Sequence, residues 1–209
     1  FPVILKPLDL SHGRGISPRL SNETAVREGW ARASKFSDRL IVEQFAEGRD
    51  HRVLVIGGKV VAVAERVPAH VKGDGKRTIR ELIDAANQDP RRGIGHTKVL
   101  TRIACDDGVA EFLARSGHTL ASVPNEGEYV YLTATANLST GGTSIDRTDE
   151  IHPSNVTACE MAAGVVGLDI AGIDVITPDI SVPFRENGAA IIEVNAAPGV
   201  RMHTHPTEG

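Results

Sequence analysis

The residues of this chain best suited to chemistry lie in its last third. The run Ala189-Ala-Ile-Ile-Glu-Val-Asn-Ala-Ala-Pro-Gly199 carries a carboxylate and an amide two positions apart in otherwise apolar sequence. Read as a strand, it puts Ile191, Glu193 and Asn195 on one face and Ile192 and Val194 on the other. A second apolar run, Asp169-Ile-Ala-Gly-Ile-Asp-Val-Ile-Thr177, places Asp174 in a neighbouring strand. Burying such groups is costly unless something binds them, and Mg²⁺ takes oxygen ligands of this kind. The expectation is a cation site made by Asp174, Glu193 and Asn195. The same pattern also arises when polar residues merely end a strand, and spacing does not separate the two.

Anion-binding groups precede these acids. Val3-Ile-Leu-Lys6 reads as a strand ending in a cation, and a loop with His12, Gly13, Arg14 and Gly15 follows. Glycine lets backbone N–H groups approach an anion, and His12 and Arg14 add donors. No Gly-Lys-Ser/Thr follows, so this is not a Walker-type phosphate loop, and an ordinary turn would look the same. Glu43 and Gln44 end a second strand, Leu40–Phe45. Asp50, Arg52 and Arg66 could converge at one end of a sheet, or could be solvated edge charges. Asn137, Ser139, Thr140, Gly141 and Gly142 offer an amide, hydroxyls and backbone N–H groups suited to phosphate or carboxylate; a Gly-Gly turn is the competing reading.

These groups need a scaffold. Ser21 caps an expected helix whose apolar face is Val26, Trp30 and Ala33, which makes Trp30 a core residue. The runs 51–56 and 59–64 form a hairpin about Gly57-Gly58. Thr78 caps a helix with Ile79, Leu82, Ile83 and Ala86 on one side, and 109–114 is a further short helix. Tyr129 to Thr133 reads as a strand. A helix over about 154–166 is expected to bury Ala158, Met161, Ala162 and Val165 and to stop at Gly167. His96 and His118 read as surface or capping residues. The fold class is α+β. A small strand–helix–strand lobe spans 1–46, and a larger mixed or antiparallel sheet with helices spans 47–209, with a mainly helical insertion around 71–123.

At 209 residues the chain can bury a real core, and 41% hydrophobic with 24% charged residues is ordinary for a globular protein. A net charge of −4 and only 4% aromatics argue against a nucleic-acid partner. No apolar run is long enough for a membrane span. Cys105 and Cys159 fit no metal spacing and suit a reducing, cytoplasmic setting. The chain opens without an initiator methionine, on a strand already under way, and stops soon after Glu193 and Asn195. The expectation is a piece of a longer polypeptide.

Together the parts complement a nucleoside triphosphate. A lysine and a Gly-rich loop can hold phosphates, the Glu43-Gln44 strand end can read an adenine edge through its backbone, Asp50 can meet a ribose, and the late acids can hold Mg²⁺. The order of Val-Ile-Leu-Lys6-Pro, His12-Gly-Arg-Gly15, Ile-Val-Glu43-Gln, Gly-Arg-Asp50-His-Arg52, Ile-Asp174 and Ile-Glu193-Val-Asn195-Ala-Ala-Pro-Gly199 resembles the ATP-grasp superfamily of carboxylate–amine ligases. More narrowly it resembles the cyanophycin synthetase family, through Gly48-Arg-Asp-His-Arg-Val-Leu-Val55, Asn87-Gln-Asp-Pro-Arg-Arg-Gly93 and, most specifically, Ala134-Thr-Ala-Asn-Leu-Ser-Thr-Gly-Gly142 with Asp146-Arg-Thr-Asp149.

The resemblance implies roles. Lys6 would contact the ATP phosphates, and His12, Gly13, Arg14 and Gly15 would form a mobile loop over them. Glu43, Gln44 and Phe45 would line the adenine pocket, and Asp50 would meet the ribose. Arg52 and Arg66, with His12, would act on the transferring phosphoryl group. Asp174, Glu193 and Asn195 would bind Mg²⁺, with two ions expected. The loop of Asn137, Ser139, Thr140, Gly141 and Gly142 would sit near the acceptor carboxylate. The implied partners are aspartate and a poly-aspartate (cyanophycin) primer, with a homo-oligomeric parent. Two departures matter. Such ligases have an N-terminal lobe with a further lysine before the strand that opens here, so the isolated piece is expected to bind nucleotide weakly or not at all. Gly172 lies where many relatives have an arginine, so another arginine must serve. A glutathione-type ligase of the same superfamily and a non-catalytic nucleotide-binding or interaction module are the alternatives.

Overall fold

A computed structural model of the protein describes residues 2–9, 15–95 and 97–209. The chain divides into two compact units, Phe1–Glu47 and Gly48–Gly209. In the first, β1 (Val3–Pro7) lies between β2 (Ser17–Leu20) and β3 (Leu40–Gln44), antiparallel to both, with α1 (Glu23–Ala33) packed on the sheet. Leu5, Leu20 and Ala33 form its small core.

Two expectations fail in this unit. The cap of α1 is Asn22, whose Oδ1 accepts from Ala25 N at 2.9 Å, not Ser21. Trp30 is 50% exposed, and the buried residues of α1 are Gly29 and Ala33. The cause is β2, which periodicity did not reveal. It passes so close that a Cβ on Gly29 would lie 2.9 Å from Leu20 Cδ1. The helix therefore turns its smallest residues inward, and the indole is left outside.

The second unit runs β4 (Arg49–Ile56), β5 (Lys59–Val67), β6 (His70–Lys72), α2 (Ile79–Ala86), β7 (Arg92–Gly93), β8 (Leu100–Thr101), α3 (Asp107–Arg115), β9 (Tyr129–Tyr131), β10 (Thr143–Asp146), α4 (Pro153–Val166), β11 (Ile170–Thr177), α5 (Phe184–Asn187), β12 (Ala190–Asn195) and α6 (Arg201–Thr204). Five strands form an antiparallel sheet in the order β10-β5-β4-β11-β12. Gly57 and Gly58, with φ of 58° and 72°, make the tight turn joining β4 to β5. Alternation then sorts the side chains. Val53, Val55, Val63, Ala171, Ile173 and Val175 pack with Cys159 and Ala163 of α4 on one face. Asp50, Arg52, Arg66 and Asp174 occupy the other strand phase.

The inward side of α4 is Asn155, Cys159 and Ala163, whereas Met161 and Val165 are 64% and 86% exposed. The expected Met161/Val165 face is therefore corrected. The helix is apolar almost all round, so its composition does not fix its rotation. A polar residue fixes it instead. Buried Asn155 donates from Nδ2 to the carbonyls of Ile180 and Val182, both at 2.9 Å, and accepts from Phe184 N at 2.9 Å.

Residues between β5 and β10 build a second core from Ala69, Val71, Ile79, Ile83, Leu113 and Leu132 among others. Thr78 and Glu81 form a capping box at the start of α2. The stretch expected as a mainly helical insertion opens as strand at Val71 and Lys72, because β6 pairs with β9.

Asn155→Ala is expected to remove these three hydrogen bonds, leaving Phe184 N without its acceptor while Ile180 O keeps His152 N, and to lower stability by about 2–3 kcal/mol, read as a reduced urea midpoint at unchanged slope.

Candidate functional site

Strand register assembles the site. Asp174 of β11 lies opposite Arg52 of β4 on one side and Glu193 of β12 on the other. Gly172, two residues back on the same face, lies opposite Asn195. Asp174, Glu193 and Asn195 therefore share one face in adjacent rows. Ile191 does not join them. A bulge pairs it with Val175, a residue of the α4 face, so the strict alternation expected over 191–195 is broken at Ile192.

The Asp174 carboxylate is engaged. Arg52 donates Nε to its Oδ1 and Nη2 to its Oδ2, the latter at 3.0 Å. Arg66 donates Nη2 to Oδ2 at 3.0 Å and Nε to Asp50 Oδ1 at 2.9 Å. Two acids and two guanidiniums thus form a line, Asp50–Arg66–Asp174–Arg52, with Asp174 only 4% exposed. Burial pushes the Asp50 carboxyl above its ordinary range, against the pull of Arg66. Burial also works against the Arg66 charge, but Asp50 and Asp174 outweigh it and raise its pKa. Asp50, expected at a ribose, is thus tied to Arg66.

Glu193 differs. Its side chain has no hydrogen bond or ion pair among the described residues. Asn195 donates Nδ2 to Gly172 O at 3.2 Å, which leaves its Oδ1 without a donor among them. Two carboxylates and an amide oxygen side by side are a donor set that suits Mg²⁺. No group of three or more His, Cys, Asp or Glu side chains among the described residues is placed to hold a metal ion, so a cation here would depend on the amide oxygen. A cation here would compete with Arg52 and Arg66 for Asp174.

Gly172 makes room for Arg52. A Cβ at this position would lie 2.6 Å from Pro198 Cβ, 2.9 Å from Arg52 Cδ and 3.2 Å from Arg52 Nη1. Without a side chain on β11, the Arg52 stem crosses from β4 and reaches Asp174.

A cavity of roughly 200 Å³ opens beside this cluster, lined by Arg52, Arg66, Asn137, Ser139, Arg201 and Met202 among others. The Nη1 groups of Arg52 and Arg66, the Asn137 amide and the Ser139 hydroxyl make no hydrogen bond among the described residues. Cationic and neutral donors converging on one cavity suit a carboxylate or phosphate. The other expected members of this loop have a different task. Thr140 Oγ1 donates to Asn137 O at 2.9 Å, Gly141 takes φ of 97°, and a Cβ on Gly142 would meet Asn137 O and Val67 O at 2.8 Å. Thr140, Gly141 and Gly142 hold the turn that presents Asn137 and Ser139.

In the first unit, Lys6 Nζ pairs with Glu43 Oε2 at 2.5 Å, so two expected nucleotide contacts neutralise one another. Phe45 N donates to Pro2 O at 3.1 Å. Gln44 is exposed at the end of β3, an edge strand of this sheet whose outer backbone side β1 does not pair. Gly15 lies in a turn. His12, Gly13 and Arg14 lie outside the described residues.

The sequence reading stopped at Gly199 and missed α6. Arg201 and Met202 line the cavity, and Arg201 also donates to Lys98 O at 2.8 Å. Behind them His203 is pushed down to about 4, by burial first and then by Arg52. The available signal was two cationic-type residues, Arg201 and His203, directly after the strand that carries Glu193 and Asn195.

Two outcomes follow from this geometry. Gly172→Ala is expected to displace Arg52 and Pro198 and to cost about 1–3 kcal/mol by overpacking, measured by chemical denaturation. For His203, the unfolded chain binds a proton near the ordinary value of 6.5, and the folded chain does so only near 4. Stability should therefore fall as pH drops through that interval. A series of urea midpoints against pH should show a shallower slope there in His203→Leu than in the parent chain.

No family model matches the chain. Over all 209 residues it is 55% identical to cyanophycin synthetase of Trichormus variabilis (strain ATCC 29413 / PCC 7937), covering 23% of that protein. It is 36% identical to the glutathione biosynthesis bifunctional protein GshAB of Clostridium perfringens (strain 13 / Type A), over 99% of this chain and 27% of the relative. Among solved structures, a bifunctional glutathione synthetase from Pasteurella multocida superposes with a TM-score of 0.70 at 33% identity, over 98% of this chain and 28% of that one. The chain spans about a quarter of the length of the curated relatives it matches. It has the α+β ATP-grasp fold and is similar, along its whole length, to one segment of the cyanophycin synthetases.

Proposed function

We propose that this chain supplies the ATP-binding and acyl-activating site of an ATP-dependent carboxylate–amine ligase that extends the poly-aspartate backbone of cyanophycin. The observation that carries the reading is the Asp50–Arg66–Asp174–Arg52 line, which borders a cavity with unpaired donors on one side and the unpaired Glu193 on the other. The 55% identity to cyanophycin synthetase over the whole chain supports the substrate class.

In this reading Asp174, Glu193 and Asn195 would hold magnesium, two ions being expected, whose charge would offset that of the nucleotide phosphates. Lys6 and the residues from His12 to Gly15 serve the phosphates, and Glu43, Gln44 and Phe45 serve the adenine. Asn137 and Ser139 hydrogen-bond the acceptor carboxylate and fix it for in-line attack. One carboxylate oxygen bonds to the γ-phosphorus, the bond to the β-phosphate oxygen breaks, and ADP leaves. Arg52 and Arg66 offer their Nη1 groups to the charge that builds on the transferring phosphoryl. The amine of an incoming aspartate then bonds to the acyl carbon, the carbon–oxygen bond to phosphate breaks, and the amine loses a proton. The chemistry consumes ATP and needs no disulfide, in keeping with a cytoplasmic enzyme whose two cysteines are free.

A second reading, amide ligation of the glutathione type, is favoured by the 36% identity to the bifunctional glutathione protein. Calorimetry with Mg-ATP tests the nucleotide site, and its failure to register binding would leave a non-catalytic module. ATP-dependent phosphate release with aspartate and a poly-aspartate primer, against release with glutathione precursors, separates the two ligases. Ser139→Ala is expected to raise KM for the acceptor by about 10-fold or more, the worth of one hydrogen bond to a charged group, with affinity for ATP unchanged.

A further inference from the structure

Among the described residues, the buried side-chain nitrogen and oxygen atoms left without a hydrogen-bond partner are both ring nitrogens of His203. Such orphaned groups are rare in folded proteins and call for an explanation. The residue sits in α6, which packs on β5 and β10. Its neighbour Met202 lines the arginine cavity and accepts from Ser144 Oγ through its carbonyl at 3.1 Å. The charged groups acting on the ring are Arg52 from β4, Arg66 from β5 and Asp146 from β10.

These neighbours limit what the ring can bind. Asp146 Oδ1 already accepts from Thr148 N and Thr148 Oγ1. Arg52 and Arg66 are donors only, and a neutral imidazole carries one lone pair that can accept. In the present arrangement Nε and Nη2 of Arg52 are given to Asp174 and Nη2 of Arg66 is shared between Asp174 and Asp50, so only the two Nη1 groups lack a partner among the described residues. That changes if a cation takes Asp174. An ion on Asp174 draws on the lone pairs now given to the guanidiniums, and a dication next to two arginines adds repulsion that weakens those bonds. Arg66 keeps Asp50 as an acceptor, whereas Arg52 bonds only to Asp174 among the described residues, and a charged donor left unpaired at low exposure is expensive.

We propose that His203 is a positioning residue, the reserve acceptor that takes an N–H of Arg52 when Asp174 turns to the magnesium ion. The inference rests on the reading of Asp174, Glu193 and Asn195 as a cation site. It gives the orphaned ring a task in the loaded state and keeps Arg52 at the cavity wall, where the phosphoryl group would be transferred. His203 acts through Arg52 and is not assigned contact with substrate.

The test uses the full chain with three side chains at this position: histidine, His203→Gln, which retains an acceptor, and His203→Leu, which keeps bulk without polarity. Mg²⁺ is titrated by calorimetry in the presence of a non-hydrolysable ATP analogue, and the imidazole ¹⁵N resonances are followed in parallel. His203→Leu should bind Mg²⁺ about 10-fold more weakly, as loss of supporting hydrogen bonds around a metal commonly does. His203→Gln should stay within about 3-fold of the parent. One His203 ring nitrogen should shift on addition of Mg²⁺ with the analogue and not with Mg²⁺-free analogue. Without ligand at neutral pH, His203→Leu should be at least as stable as the parent, since it removes two orphaned polar atoms; a purely structural histidine would give a loss. Unchanged Mg²⁺ affinity in His203→Leu, equal loss in His203→Gln, or an unmoved resonance in a parent chain that does bind the analogue would overturn this inference alone. A parent chain that binds neither Mg²⁺ nor the analogue would overturn it together with the proposed function.

Discussion

A buried carboxylate between two guanidiniums governs this structure. Asp174 is almost fully enclosed, and an uncompensated charge there would cost several kcal/mol. Arg52 and Arg66 remove that penalty, and Asp50 balances the second arginine. The four groups come from three adjacent strands, so the pairing holds only if the order β5-β4-β11 and its register hold. The apolar face of the sheet supplies the stabilisation, and the ionic face makes one register acceptable.

The neighbouring features serve that arrangement. Gly172 clears a path for the Arg52 stem and for Pro198 at once, which links the arginine to the turn after β12. The bulge at Ile192 lets β12 send Ile191 toward Val175 while keeping Glu193 beside Asp174. The turn at Leu138–Thr140 brings an amide and a hydroxyl to the cavity wall, with Gly142 pressed against two carbonyls behind it. A site with balanced charge and spare donors has two demands on the same carboxylate, one from the fold and one from the cation it is proposed to hold.

Much of the scaffold was legible because it rests on short-range rules. The Gly57-Gly58 turn, the Thr78 cap and the Gly167 stop are local chemistry, and the alternation in β11 and β4 gives two faces directly. What failed depended on contacts between distant segments. Trp30 looked like core until β2 crossed at Gly29. The rotation of α4 was set by Asn155 reaching carbonyls beyond the next strand, which an apolar pattern cannot reveal. Spacing put Glu193 and Asn195 on one face and Asp174 in a neighbouring strand, but it could not say that Asp174 would be held by arginines. His203 escaped because its importance lies in what it lacks, and a missing partner has no motif.

The Gly57-Gly58 turn has a reach well beyond its size. Two residues there set the phase of β5 against β4, and hence which alternate side chains of β5 look toward α4. One inserted residue at that tip would exchange the two sets. Arg66 would enter the layer now filled by Val63, and Val63 would take its place among the acids. Loop length is usually a lenient variable, but at this bend it is under electrostatic control, because the sheet has no neutral way to accept a slipped strand.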